Sequence, residues 1–367
     1  MKIKSIQYLR GVAALLVLVA HTFEHQFARP PLWLTRFGPF GVIMFFVISG
    51  FIMVLISSER KFDAWAFIRR RIVRVVPLYW LTTIAIALIA IATPHLLRST
   101  EFSVSHLLLS LLFVPHADPS GTLSPLLKPG WTLNYEIFFY AVFAVFAGFT
   151  AGLRVALVTS FFAILIVLGA WIGDSVAILH FYTRPIIGAF CIGMVVGLAT
   201  LRGYSLKGNG ALLSAVGLLS AACLVLAFSL ELRGSLVTTA SLAFGAAGLL
   251  LLGIALDERV PTWQLGLLIG NASYSIYLTH MFAVAAIVAV VRRASHGFLL
   301  QWITPSAAII FGVLIGITVY RLVEEPLLAR FQRPQPTPNI APESALPAPG
   351  DGGPLELMRD TVRRESR

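Results

Sequence analysis

Two ionisable residues, Arg10 and His21, lie inside the first long apolar run of the sequence. If the run is helical, their spacing is about 20° from three full turns, so both side chains share one helix face. They then lie roughly 16 Å apart along the helix axis. Ionisable side chains in an apolar helix are costly and by default mark a functional site. Two alternatives stay open, in which Arg10 extends to lipid headgroups and His21 bonds to a neighbouring helix.

Two further ionisable residues, Glu136 and His280, also lie in apolar segments. The orientation derived below places His21, Glu136 and His280 together in the outer half of a membrane. A carboxylate and two imidazoles at one depth suit general acid–base catalysis, because imidazole exchanges protons near neutral pH. A structural hydrogen-bond network, or the proton relay of a transporter, is equally compatible with these residues taken alone.

An arginine-rich block occupies residues 69–74, with Arg71 and Arg74 three residues apart. On a helix this spacing puts both guanidinium groups on one face. Paired guanidinium groups bind phosphate well, because each offers two parallel N–H donors. The alternative is that the block only anchors the helix end at a membrane surface.

Two short motifs are interpreted structurally. Ser49 and Gly50 are small residues, which predicts close approach of two helices. A serine nucleophile at Ser49 would need an adjacent base, and none is evident. Near the end of the last apolar segment, Arg321 and Glu324 are predicted to pair with each other, three residues apart.

No metal site and no disulfide are predicted. The string from His21 through Glu24 to His25 matches a short zinc-peptidase motif, but a metal would need further ligands that the sequence does not offer. Both cysteines, Cys191 and Cys223, fall within long apolar runs, which does not indicate a disulfide framework.

The composition identifies the elements that must position these residues. The chain has 367 residues, of which 57% are hydrophobic and 12% charged, against about 25% charged in a soluble domain. A soluble enzyme and extensive disorder are therefore excluded for most of the chain.

Since about 20 apolar residues span a bilayer, we predict an all-α polytopic membrane protein with ten transmembrane helices. They lie near 8–27, 38–57, 73–93, 131–149, 153–172, 185–201, 210–230, 235–256, 264–291 and 302–323; the apolar stretch 104–115 is too short to span.

Basic residues set the predicted orientation. They crowd the connection between the second and third segments, from Arg60 and Lys61 to Arg74, and this places that loop in the cytoplasm. Lys2 and Lys4 agree with a cytoplasmic N-terminus, and ten crossings return the C-terminus to the same side. Arg292 and Arg293 lie in a predicted outer loop, against the rule that basic residues favour cytoplasmic loops.

We predict a membrane domain over 1–330 and a disordered, proline-rich cytoplasmic tail over 331–367. The net charge of +11 lies mainly in short loops, which indicates contact with anionic lipids rather than nucleic acid.

Five segments, in order, resemble the acyltransferase-3 family of integral-membrane O-acyltransferases, which modify bacterial surface carbohydrates. The first is the pair Arg10 and His21, with ten residues between them, following the sequence SIQYL. The other four are FFVISGF at 45–51, the arginine block at 69–77, WTLNYE at 131–136 and SYSIYLTH at 273–280. The short form, without an extracytoplasmic esterase-like domain, looks most like the exopolysaccharide-production branch. The proline-rich tail has no counterpart in the family pattern.

The resemblance implies an acyl-CoA donor, usually acetyl-CoA, on the cytoplasmic side. It implies a carbohydrate hydroxyl as acceptor, on an extracytoplasmic or lipid-linked glycan such as exopolysaccharide, and a bacterial inner-membrane location. It also implies that Arg10 and His21 are essential. We therefore expect His21, Glu136 and His280 to be catalytic, with His21 taking the proton from the acceptor hydroxyl.

We expect Arg10, Arg71 and Arg74 to hold the CoA phosphates, with no metal cofactor. Direct transfer and an acyl-histidine intermediate are both compatible with these residues. The alternative function is a polytopic transporter or flippase of a glycan or lipid-linked precursor. Such a protein would more naturally show internal repeats and broken helices, and neither is visible in the sequence.

Overall fold

Helices account for most of the computed structural model, which describes residues 3–26, 31–57, 62–93, 102–118, 121–172, 176–230, 235–291 and 298–331. Within those ranges there is no β-strand beyond one isolated bridge between Ala117 and Leu123. The α-helices are α1 (Lys4–Gln26), α2 (Leu32–Ile56), α3 (Ala64–Ala92), α4 (Val104–Leu111), α5 (Trp131–Val145), α6 (Ala151–Ile172), α7 (Ala177–Tyr182), α8 (Gly188–Leu201), α9 (Gly210–Ser229), α10 (Leu236–Leu256), α11 (Gln264–Asn271), α12 (Ser273–Val291), α13 (Phe298–Val319) and α14 (Glu325–Phe331). A π-helical turn, Tyr320–Glu324, joins α13 to α14.

Several sequence predictions concern residues outside the described ranges. They involve Lys2, Arg60, Lys61, Arg292, Arg293 and the side chain of His25. Of the predicted tail, 331–367, only Phe331 is described, and it ends α14. The described residues all belong to one compact unit, Met1–Phe331.

Eight helical segments in the described ranges are long and apolar enough to cross a membrane. Their outward faces carry large apolar side chains, such as Leu218 on α9, which is 73% exposed, and Trp171 on α6, which is 85% exposed. Large apolar side chains on an outer surface fit a lipid environment and not water. The described part of the chain is all-α and has the long apolar helices of a multi-pass membrane protein. Two of the ten predicted segments, 131–149 and 185–201, form shorter helices, with 15 residues in α5 and 14 in α8.

Helix boundaries differ from the prediction in two places that matter for the site. Helix α3 begins at Ala64 and not near residue 73, because the Asp63 carboxylate accepts hydrogen bonds from the backbone N–H groups of Trp65 and Ala66 and caps the helix. The whole arginine block is therefore helical. The predicted single segment 264–291 is interrupted at Ala272, between α11 and α12.

The interruption lets α11 lie directly against the start of α1. A side chain at Gly270 would overlap the backbone carbonyl of Gln7, so only glycine permits this approach. The first turn of α1 is also held by Asp257, whose carboxylate accepts hydrogen bonds from the backbone N–H and the hydroxyl of Ser5. These contacts fix the end of α1 from which Arg10 projects.

The close helix approach predicted at Gly50 is present, and it joins α2 to α8. A Cβ on Gly50 would overlap the Phe190 carbonyl oxygen, and a Cβ on Gly193 would overlap the Val47 carbonyl oxygen. The two backbones are therefore in direct contact along the centre of the bundle. This packing holds α2, which lines both cavities described below.

We expect Gly50→Ala to destabilise the protein by ~1–3 kcal/mol, the usual cost of overpacking a filled contact. Gly217→Ala is the matched control, because the nearest atom to a Cβ there is Leu252 Cδ1 at 3.9 Å. Thermal unfolding in detergent, followed with a thiol-reactive dye that reports exposure of the buried Cys191, measures both. An unchanged unfolding temperature in Gly50→Ala would contradict the packing argument.

Candidate active site

Two histidines from different helices meet at the centre of the site. His21 on α1 and His280 on α12 lie with Nδ1 of His21 2.9 Å from Nε2 of His280. Their rings are stacked, with centroids 5.1 Å apart and planes 15° from parallel. His280 is fully buried. The sequence predicted the two imidazoles at one depth, and the structure brings them into direct contact.

The backbone of α12 determines which nitrogen of each ring carries the proton. Nδ1 of His280 lies 2.7 Å from the carbonyl oxygen of Tyr277 and 3.2 Å from that of Ile276. A carbonyl only accepts, so this Nδ1 is the protonated nitrogen, and in the neutral ring Nε2 is an acceptor. Nδ1 of His21 then donates to it, and the basic lone pair of His21 is at its Nε2.

His21 lines a cavity of about 760 Å³, which we call the histidine cavity. Its size is within the range of small-molecule sites in proteins. The wall combines an aromatic ring, several hydroxyl groups and cationic side chains. These are Trp131, Thr35, Thr183, Thr238, Thr239, Arg36 and Arg184.

A second cavity, which we call the arginine cavity, contains the three predicted phosphate-binding residues. Arg10, Arg71 and Arg74 all line it, together with the apolar side chains of α2. Arg69 and Arg70, in contrast, are exposed and line neither cavity. Nε of Arg71 is buried and has no hydrogen-bond partner among the described residues. A buried, unsatisfied donor of this kind suits an anionic ligand.

Glu136 lies in the arginine cavity and not beside the histidines. Its carboxylate accepts a hydrogen bond from Tyr140, and the Ser49 hydroxyl lies 3.4 Å from the Tyr140 oxygen. The predicted grouping of Glu136 with His21 and His280 is therefore replaced by two sites: the paired imidazoles, and a Ser49–Tyr140–Glu136 chain next to Arg71. Sequence spacing predicted a depth for Glu136 in the membrane and could not predict the direction in which its side chain points.

The predicted pairing of Arg321 with Glu324 is wrong. Arg321 forms its ion pair with Glu325, at 3.1 Å. Glu324 is buried and accepts a hydrogen bond of 2.5 Å from the Ser275 hydroxyl on α12. The π-helical turn is the cause, because its extra residue rotates Glu324 from the surface to the interior.

Glu324 is a functional candidate that the sequence argument missed. Its carboxylate is in the electrostatic field of Arg10 and Arg74, the two arginines that enter the cavity from α1 and α3. A buried carboxylate near two guanidinium groups can hold them in position. The buried partner Ser275 belongs to the segment 273–280, which the sequence singled out for other reasons.

We expect Glu324→Ala to cost about 1–3 kcal/mol of stability, because it leaves the buried Ser275 hydroxyl unsatisfied. Its neighbour Glu325 provides the control, since the Arg321–Glu325 pair is half exposed and such pairs contribute little. Chemical or thermal unfolding of both variants in detergent measures the difference. Equal losses from Glu324→Ala and Glu325→Ala would show that the inward carboxylate has no special role.

His116 and Asp118 lie in the loop between α4 and α5. Asp118 accepts hydrogen bonds from the Thr122 backbone N–H and the Ser124 hydroxyl, which shapes the loop. Burial lowers the pKa of the His116 imidazole, although its Nδ1 lies 2.7 Å from the Val114 carbonyl. Neither side chain lines the two cavities, so the described geometry gives them a structural role.

The sequence profile of the acyltransferase-3 family, whose description is "Acyltransferase domain", matches residues 3–321. The chain belongs to the acyltransferase-3 family. The match covers both cavities and all the helices that line them. The protein is therefore an enzyme, an acyltransferase, and the transporter alternative is set aside.

Two curated relatives agree with this assignment. The exopolysaccharide production protein ExoZ of Rhizobium meliloti (strain 1021) is 38% identical, over 84% of this chain and 95% of its own length. The acyltransferase MdmB of Streptomyces mycarofaciens is 26% identical, over 94% of this chain and 96% of its own length. No solved structure matches this chain significantly.

Proposed function

We propose that this acyltransferase transfers an acetyl group from acetyl-CoA to a sugar hydroxyl of an exopolysaccharide or a lipid-linked precursor of one. The observation that carries the proposal is the His21–His280 pair, with His21 in the wall of a cavity large enough for a sugar. The relative named for exopolysaccharide production supports the acceptor class.

The arginine cavity supports a coenzyme A thioester as the donor. CoA carries phosphates at one end and its thioester at the other, joined by a narrow pantetheine arm. Arg10, Arg71 and Arg74 would bind the phosphates, and the unsatisfied Nε of Arg71 would gain a partner. Arg10 and His21 lie roughly 16 Å apart along α1, a distance that an extended pantetheine arm can span.

The chemistry assigned to His21 is general base catalysis. Nε2 of His21 takes the proton of the acceptor hydroxyl, while the oxygen of that hydroxyl attacks the thioester carbonyl. The carbon–sulfur bond breaks, the ester forms, and the protonated imidazole returns the proton to the departing CoA thiolate. His280 acts as a positioning residue, because its Nε2 accepts from Nδ1 of His21. Glu136 is closer to the donor and would orient Tyr140 and the nearby arginines.

The walls of the histidine cavity suit a carbohydrate acceptor. Trp131 offers an aromatic face, and the threonine hydroxyls offer donors and acceptors. Polar groups placed on an otherwise apolar wall give orientation and specificity in small-molecule sites. Arg36 and Arg184 line this cavity together with the carboxylate of Glu24. The two guanidinium groups would favour an acceptor that carries an acidic substituent or a lipid-linked pyrophosphate.

The proposed topology follows from the same arrangement. In addition to the eight long spans, α5 and α8 cross the bilayer, which gives ten crossings with both termini in the cytoplasm. The arginine-rich start of α3 then faces the cytoplasm, where acyl-CoA is made. His21 and the histidine cavity face outward, where the glycan is. The membrane is the bacterial inner membrane.

The test is CoA release by the purified protein in nanodiscs, supplied with acetyl-CoA and a crude exopolysaccharide fraction. We expect release that depends on the glycan, and mass spectrometry of the glycan should show added acetyl groups. Failure to bind acetyl-CoA, together with no release from it, would overturn the proposal. CoA release without glycan acetylation would assign a different acceptor.

A further inference from the structure

The two cavities share two lining side chains. Val42 on α2 and Tyr277 on α12 are the residues that line both cavities. Each is nearly buried, at 5% and 6% exposed. The arginine cavity therefore borders the histidine cavity at an apolar side chain and the ring of a tyrosine.

The tyrosine ring is held in place from several directions. Its hydroxyl donates to the Pro129 carbonyl at 2.9 Å and lies 2.8 Å from Thr132 Oγ1. Phe45, on the same helix as Val42, packs edge-on against the ring, with centroids 5.8 Å apart. Because the ring is held at its hydroxyl and at one face, it has little freedom to rotate. Of the two shared side chains, Val42 is therefore the one whose size can be changed without breaking a hydrogen bond.

We propose that Val42 and Tyr277 form a size filter for the acyl group as it passes from the donor cavity to His21. This inference rests on the proposed function, in which the donor occupies the arginine cavity and the acceptor the histidine cavity. The CoA phosphates stay at Arg10, Arg71 and Arg74, because the two side chains shared by the cavities, Val42 and Tyr277, are uncharged. An acetyl group passes, and each added methylene meets the Val42 side chain or the tyrosine ring.

The experiment compares acetyl-, propionyl- and butyryl-CoA as donors for the full chain in nanodiscs, with the exopolysaccharide fraction as acceptor. Val42→Ala should raise the ratio of kcat/KM for butyryl-CoA to that for acetyl-CoA by about 10-fold or more, since one methylene in an apolar pocket changes selectivity by ~10–200-fold. Val42→Leu should move the propionyl-to-acetyl ratio in the opposite direction. A partly unfolded variant would lose all three donors together and leave the ratios unchanged.

Val47→Ala provides the matched control. Val47 is a buried valine of the same helix that lines neither cavity, so its replacement should leave the donor ratios unchanged. Unchanged ratios in both Val42 variants, with acetyl transfer intact, would overturn the filter and leave the proposed function standing. Absence of release from all three donors by the wild type would overturn both proposals.

Discussion

Alanine in place of His21 is expected to lower glycan-dependent CoA release by about 10²–10⁴-fold, the usual contribution of a general base. The loss should appear in kcat, with the KM for acetyl-CoA nearly unchanged, because the arginine cavity is intact. Steady-state CoA release over a range of donor concentrations measures both constants. His116→Ala is the control, since His116 lines neither cavity, and its rate should stay near that of the wild type.

The role of His280 can be separated from that of His21 with two replacements. Glutamine retains an acceptor that can hold Nδ1 of His21, whereas leucine fills the space without one. We expect His280→Leu to lose most of kcat and His280→Gln to recover part of it. Equal activity of the two variants would show that His280 only fills space, and a full rate in His21→Ala would remove the assignment of the base.

Replacing Arg71 or Arg74 with alanine is expected to raise the KM for acetyl-CoA by about 10–100-fold, which corresponds to a charged hydrogen bond of ~1.5–3 kcal/mol. Acetyl-pantetheine, which lacks the phosphates, should be used equally well by the variants and the wild type. The measurement is the ratio of kcat/KM for the two donors.

The arginine block supplies its own controls. Arg69→Ala and Arg70→Ala remove the same charge from the same helix, but both side chains are exposed and outside the cavity, so their ratios should match the wild type. If all four substitutions raise the KM alike, the block acts only through its overall charge. If Arg71→Ala lowers the use of both donors equally, the guanidinium group acts elsewhere than at the phosphates.

Local periodicity was sufficient to predict which residues of the candidate site could share a helix face. The shared helix face of Arg10 and His21 depends only on the 100° step of an α-helix, and the i,i+3 relation of Arg71 and Arg74 depends on the same step. Both arginines enter one cavity with Arg10. The apolar segments were found because their composition departs strongly from that of a soluble domain.

What depends on neighbouring helices could not be predicted. The partner of Glu136, Tyr140, and the cavity that Glu136 faces are set by how α5 packs against α2 and α3. Glu324 was misassigned because an α-helical step was assumed where the chain forms a π-helical turn. A single inserted residue changes the direction of a side chain by far more than a sequence pattern reveals.

The hydrogen bond from Nδ1 of His280 ends on the main chain of α12, at the Tyr277 carbonyl. A main-chain oxygen has no side chain to delete and no proton to gain in the working range of an enzyme. An alanine scan would therefore miss the carbonyl that determines which nitrogen of His280 carries the proton. Replacements at residue 277 leave this carbonyl in place, although the tyrosine ring that they remove also lies against His280, with centroids 6.1 Å apart.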